Sequence, residues 1–151
     1  MKVVIDSNIV FSAILNSKSK IGQLIINGSK YFDFYSIGLL KDEIHKHKDK
    51  ILQITKFSDD QFNDTFLFIS NRIKFIDDIF LSDNDLKKAN ELVGNIDTDD
   101  TPFVALTNHL LAYLWTGDKH LINGLRKKGY KRVLSTGDLY ENFLNRKFKI
   151  G

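Results

Sequence analysis

Residues 1–15 read MKVVIDSNIVFSAIL: a short run of β-formers, the polar trio Asp6-Ser7-Asn8, then a second apolar run. Lys2-Val3-Val4-Ile5 shows no polar alternation, which predicts a strand buried on both faces, as in a parallel sheet covered by helices. Residues 9–15 predict a helix. In open α/β sheets ligands bind beyond the carboxyl ends of the strands, so a carboxylate at the end of the first strand stands where chemistry is usually done. Asp6 or Ser7 also suits the N-cap of the following helix. This stretch alone leaves both roles open.

Working outward, residues 16–20 read as a loop, and Ile21, Leu24 and Ile25 as the apolar stripe of a helix ending at Gly28. Aromatic-rich residues 31–36 predict a second strand. One long helix is predicted from 38 to about 56, with Leu40, Ile44, Ile51 and Ile54 on one face. Ser58 or Asp59 caps the next, which carries Phe62, Phe66 and Ile69 inward. Residues 73–76 predict a third strand. Ser82 with Asp85 forms a capping box opening a helix to Gly94. Pro102, the only proline, fits the first turn of a helix through Phe103, Leu106 and Leu110. Residues 112–116 predict a fourth strand with Trp115 in the core, and 132–135 a fifth, before a last helix from 136 to about 145. Strands alternating with helices argue for a parallel sheet covered on both faces, within one domain spanning 1–151.

Cysteine is absent from the 151 residues, so disulfides and thiolate zinc sites are excluded, and any metal must take oxygen or imidazole ligands. The apolar start is interrupted by Asp6 and lacks a basic leader, and no stretch is apolar enough to span a bilayer. A cytoplasmic protein without a membrane partner is expected. The net charge of +3 is unevenly spread. Residues 1–56 carry nine Lys and Arg against five Asp and Glu, residues 57–100 four against eleven, and residues 119–149 nine against two. Basic ends around an acidic middle suit a metal-dependent enzyme acting on a polyanion, and equally a solvated surface.

Four acids share a predicted address. Asp6 follows the first strand, Asp118 the fourth, Asp100 precedes the helix leading into the fourth, and Glu43 opens the helix after the second. Carboxylates packed together repel unless a cation lies among them, and hard divalent ions suit such oxygen ligands. The chemistry implied is phosphodiester hydrolysis. VIDSN, LLKDEI, DTDDTPFVALT and LWTGDKHL, in that order, resemble the PIN-domain family, including its VapC-like toxins. The resemblance covers residues 1 to about 140.

It implies a three-layer α/β/α sandwich with a central, mainly parallel five-stranded sheet, and Mg²⁺- or Mn²⁺-dependent ribonuclease activity. It also implies a homodimer and, in many small members, a toxin held in check by an antitoxin acting in trans. Asp6, Glu43, Asp100 and Asp118 match the family's four acidic positions, and Asn8 and Thr116 match supporting polar ones. Asp97 is kept as a supporting or additional metal-site residue. Alternatives stay open at Asp42 beside Glu43, and at Asp99 or Thr101, either of which suits a helix cap. His45 and His47 lie two apart on a helix and cannot easily share an ion. The run Arg126-Lys127-Lys128 is a candidate RNA contact or simply a solubilising face. A catalytically silent RNA-binding or protein-interaction module is the rival to the nuclease. A receiver domain is disfavoured, because Ser7 and Asn8 stand where it needs an acidic pair.

Overall fold

The opening run forms the central strand, β1 (Lys2–Ile5), with Val3, Val4 and Ile5 fully buried. Its neighbours are β2 (Asp33–Ile37) and β4 (Tyr113–Trp115), and the outer strands are β3 (Lys74–Ile76) and β5 (Val133–Leu134). Every pairing is parallel, in the order β3-β2-β1-β4-β5. Cover on both faces is the physical reason β1 lacks alternation. The computed structural model describes residues 1–94, 96 and 98–148.

Among the described residues nine α-helices connect these strands. They are α1 (Ser7–Leu15), α2 (Lys20–Gly28), α3 (Leu39–Lys46), α4 (Lys48–Thr55), α5 (Asp59–Ser70), α6 (Asp83–Val93), α7 (Thr101–Leu110), α8 (Lys119–Lys127) and α9 (Thr136–Lys147). The chain steps from β1 to β2 to β3 in one direction, then crosses back to β4 on the far side of β1. Right-handed crossovers therefore place α1–α5 on one face and α6–α8 on the other. The packing agrees: α1 lies against α2, α3, α4 and α5, while α6 lies against α7 and α8. The result is an α/β/α sandwich. Its reversal of strand order falls between β1 and β4, where Ile5 pairs with Trp115, and a doubly wound sheet opens its crevice at that point.

Local signals hold where they are strictly local. Ser58 with Gln61, and Ser82 with Asp85, close capping boxes on α5 and α6, and Pro102 sits in the first turn of α7. Trp115 is fully buried, as expected of a core residue. The predicted helix from 38 to 56 is instead two, because the chain breaks at His47, which ends α3 and begins α4. The break resets the helical phase. Leu40, Ile44 and Ile51 remain inside, but Ile54 turns outward at 53% exposure. Helix α8 went unassigned in the sequence, although Leu121, Ile122 and Leu125 form its buried stripe. Among the described residues no helix is long and apolar enough to cross a membrane.

The turn between α1 and α2 is tight enough to require glycine at position 22. A Cβ there would lie 2.3 Å from the Ser17 carbonyl oxygen, and backbone cannot move aside as a side chain would. Gly22→Ala is expected to destabilise by about 2 kcal/mol, lowering the melting temperature by roughly 4–8 °C in a thermal unfolding experiment. An unchanged melting temperature would show that the turn yields freely.

Candidate active site

Asp6 stands at the strand end and caps α1. Its backbone continues the sheet, with the N–H donating to the Trp115 carbonyl at 3.4 Å. Its Oδ1 accepts from the Ile9 N–H at 3.0 Å and caps α1. The other oxygen, Oδ2, is buried and has no hydrogen-bond partner among the described residues. Only 2% of the residue is exposed. Burial pushes the carboxyl up to about pKa 6 from its ordinary 3.8, and the neighbouring Asp118 charge adds to the rise. The Thr116 hydroxyl and the Ile9 and Asn8 backbone N–H groups oppose it without prevailing.

Asp118 stands across the strand reversal from Asp6. Its Oδ1 caps α8, accepting from the His120 and Leu121 N–H groups at 2.9 and 3.2 Å. Its own N–H donates to the Thr116 hydroxyl at 3.1 Å. Thr116 is fully buried, so one side chain fixes the Asp118 turn and faces the Asp6 carboxyl.

Glu43 and Asp100 arrive from opposite faces of the sheet. Glu43 is half-buried on α3, and Asp100 ends a short 3₁₀ turn (Thr98–Asp100) that feeds α7. With Ser7, Asn8, Lys46, His47 and Asp99 they line one cleft of about 370 Å³. Asp6 adjoins it through Ser7 and Asn8 of the chain. Asp99, read in sequence as a cap alternative, is a wall of this cleft, and Asp97 lies outside the described residues. A smaller pocket of about 180 Å³ shares Ser7, Asn8, Glu43 and His47 and adds Phe11, Ile44 and Lys50.

The sequence pattern of the PIN domain matches residues 4–136. The chain belongs to the PIN-domain family. One chain of the crystal structure of VapBC2 from Rickettsia felis, bound to a DNA fragment from their promoter, is similar at a TM-score of 0.65 and 15% identity. The likeness covers 89% of this chain and 98% of that one, and at this identity it speaks for the fold alone. Curated proteins show no significant match.

Whether this PIN domain suits a divalent ion is tested by its own atoms. The unpartnered, buried Oδ2 of Asp6 is an oxygen for which a cation would substitute lost solvation. Among the described residues, no group of three or more His, Asp or Glu stands ready to hold an ion. The donor set thus fits an ion that keeps several waters and takes one or two carboxylates, the habit of Mg²⁺, better than a closed cage.

The basic run is redirected by the fold. Arg126, Lys127 and Lys128 lie at the far end of α8, roughly 13 Å along the helix from Asp118. Arg126 pairs with Asp138 at 2.8 Å, and the Lys128 ammonium donates to the Leu92 carbonyl at 2.6 Å at the end of α6. The contacts of Arg126 and Lys128 are structural rather than aimed at the cleft. The basic side chains that do line it, Lys46 and His47, belong in sequence to the polar face of a helix. His45 turns away, its ring edge-on to Phe66 at 5.0 Å, so the two histidines stay apart as the spacing implied.

Proposed function

We propose that the chain is a metal-dependent endoribonuclease and the toxin of a type II toxin–antitoxin pair. The observation that carries the catalytic reading is the buried, unpartnered Asp6 oxygen beside Asp118 at the strand reversal. Of Asp6, Glu43, Asp100 and Asp118, one or two would hold Mg²⁺ or Mn²⁺ directly and the others through the waters it keeps. Bound there, the ion would supply charge neutralisation at phosphate and an activated water for in-line attack. The protein's own part is positional. Thr116 and the α8 N–H groups fix the Asp118 carboxylate, the α1 N-terminus fixes Asp6, Lys46 offers positive charge to the phosphodiester, and His47 offers a ring N–H.

Purified full-length protein with Mn²⁺ is expected to cut RNA, leaving 5′-phosphates, and to stop in EDTA. Asp118→Asn and Glu43→Gln should each reduce cleavage on the order of 100-fold, since even outer partners of metal ligands cost 10–100-fold. Parental rates in both variants would overturn the assignment. The open spacing of the carboxylates favours a second reading, a silent RNA-binding module. Metal binding with no cleavage across many RNAs would select it.

The toxin reading is supported by family membership and by the shared fold with a chain of the VapBC2 complex. A neighbouring gene for a small DNA-binding protein whose product co-purifies with this chain would support it, and inhibition by that product would establish it. A homodimer is the proposed assembly, tested by light scattering.

A further inference from the structure

We propose that Phe11, His47 and Lys50 form a subsite for one unpaired nucleotide beside the point of cleavage, an inference that rests on the nuclease reading above. The pocket they line opens onto the acidic cleft and shares Ser7, Asn8, Glu43 and His47 with it, so an RNA strand seated at the carboxylates must pass this wall. Phe11 is half-buried on α1. The His47 ring meets it edge-on with centroids 6.5 Å apart, and the Lys50 ammonium stands 6.0 Å from its centroid.

Aromatic surface beside cations is the arrangement that holds single strands, the ring taking a base and the cation its phosphate. No carboxylate within salt-bridge distance occupies Lys46, His47 or Lys50 among the described residues, whereas Lys48 is spent on Asp59 and Arg126 on Asp138. The break at His47 makes the arrangement possible. It ends α3 and restarts the helix, bringing both His47 and Lys50 to the Phe11 side, although they flank different turns. At about 180 Å³ the pocket accepts a splayed base and excludes a base pair. Asn8, on the shared rim, offers both a donor and an acceptor to a base edge.

The test is fluorescence anisotropy of a labelled single-stranded RNA hexamer on the full-length chain in EDTA, over a series of salt concentrations. Lys50→Gln is expected to weaken binding several-fold and to reduce the slope of log affinity against log salt by about 0.7, the value of one phosphate contact on a single strand. Phe11→Leu is expected to weaken binding roughly tenfold and leave the slope unchanged, while Phe11→Tyr restores affinity. A folding defect in Phe11→Leu would not lower the salt slope of Lys50→Gln, so the pair remains informative. Parental affinity and slope in Lys50→Gln would overturn the subsite, as would equal losses in Lys127→Gln at the remote end of α8. Cleavage of the same RNA by the parent with Mn²⁺ is scored separately. Absent cleavage with binding lost in the variants overturns the nuclease and keeps the subsite; cleavage with unaltered variant binding does the reverse.

Discussion

Asp6→Asn is expected to make the metal-free protein more stable above pH 6 while removing the proposed nuclease activity. In the unfolded chain this carboxyl ionises near 3.8, and in the folded chain it holds its proton to about pH 6. Between those values the folded state binds more protons, so by linkage stability falls as pH rises through the window and the full penalty stands above it. The difference corresponds to about 3 kcal/mol. Asparagine keeps an oxygen for the Ile9 N–H and is as good an N-cap as aspartate, but brings no charge into the buried site. The gain should reach roughly 6–12 °C in melting temperature at pH 7.5 and vanish near pH 4. Thermal unfolding in EDTA at the two pH values checks it. A variant less stable than the parent at pH 7.5 would show that the carboxylate is solvated or paired in the folded protein.

The same substitution separates a cap from a metal ligand. If Asp6 only caps α1, added Mg²⁺ or Mn²⁺ changes neither protein. If it holds an ion, the parent alone gains stability with the metal, and the gain shrinks as pH drops below 6, because a proton must leave before the cation binds.

How far the sequence discloses this molecule depends on the range of each signal. Capping boxes at Ser58 and Ser82 and the proline of α7 act over three residues, and each marks its helix start in the structure. Unbroken hydrophobicity in β1 reports two covered faces, and that alone implies helices above and below. The break at His47 answers a longer-range demand. Both α3 and α4 pack on α1, and two axes satisfy α1 better than one straight helix whose residues 47–50 are all polar. Helix α8 hid because its buried stripe is short and ends in three basic residues.

At the site, Asp6 and Asp118 were legible because strand ends at a reversal of sheet order need only strand assignment. Glu43 and Asp100 were placed near the same edge as residues at helix starts, and likeness of motif singled them out from Asp42 and Asp99, since their meeting in one cleft depends on how α3 and the turn before α7 hang over the sheet. The run at 126–128 lies at the other end of α8 from Asp118. Charge dense along the chain is not charge at a site, because a helix carries its last turn away from its first. Lys46, His47 and Lys50 are diluted among other polar residues in the sequence, and the structure sets them along two adjoining pockets that share His47.

Trp115→Ala is expected to produce the largest loss of stability among single substitutions considered for this fold. The side chain is fully buried in the strand beside β1, tilted on Phe34 with centroids 6.0 Å apart, and its Nε1–H donates to the Thr136 hydroxyl at 3.1 Å. Truncation removes the ring contacts and leaves a cavity that the two flanking strands are too constrained to close. The cost is about 3–5 kcal/mol, a fall in melting temperature on the order of 10 °C or more. Trp115→Phe refills most of the volume and gives up the hydrogen bond, at about 1 kcal/mol. The site should feel the difference. The Trp115 carbonyl receives the Asp6 N–H, and Thr116, next in the chain, fixes the Asp118 turn, so relaxation of β4 moves both carboxylates. Cleavage measured well below the melting temperature should therefore fall in the alanine variant and persist in phenylalanine. An alanine variant melting within about 3 °C of the parent, below the smallest shift this cavity allows, would mean that the core closes over the gap and that β4 does not hold the two acids in place.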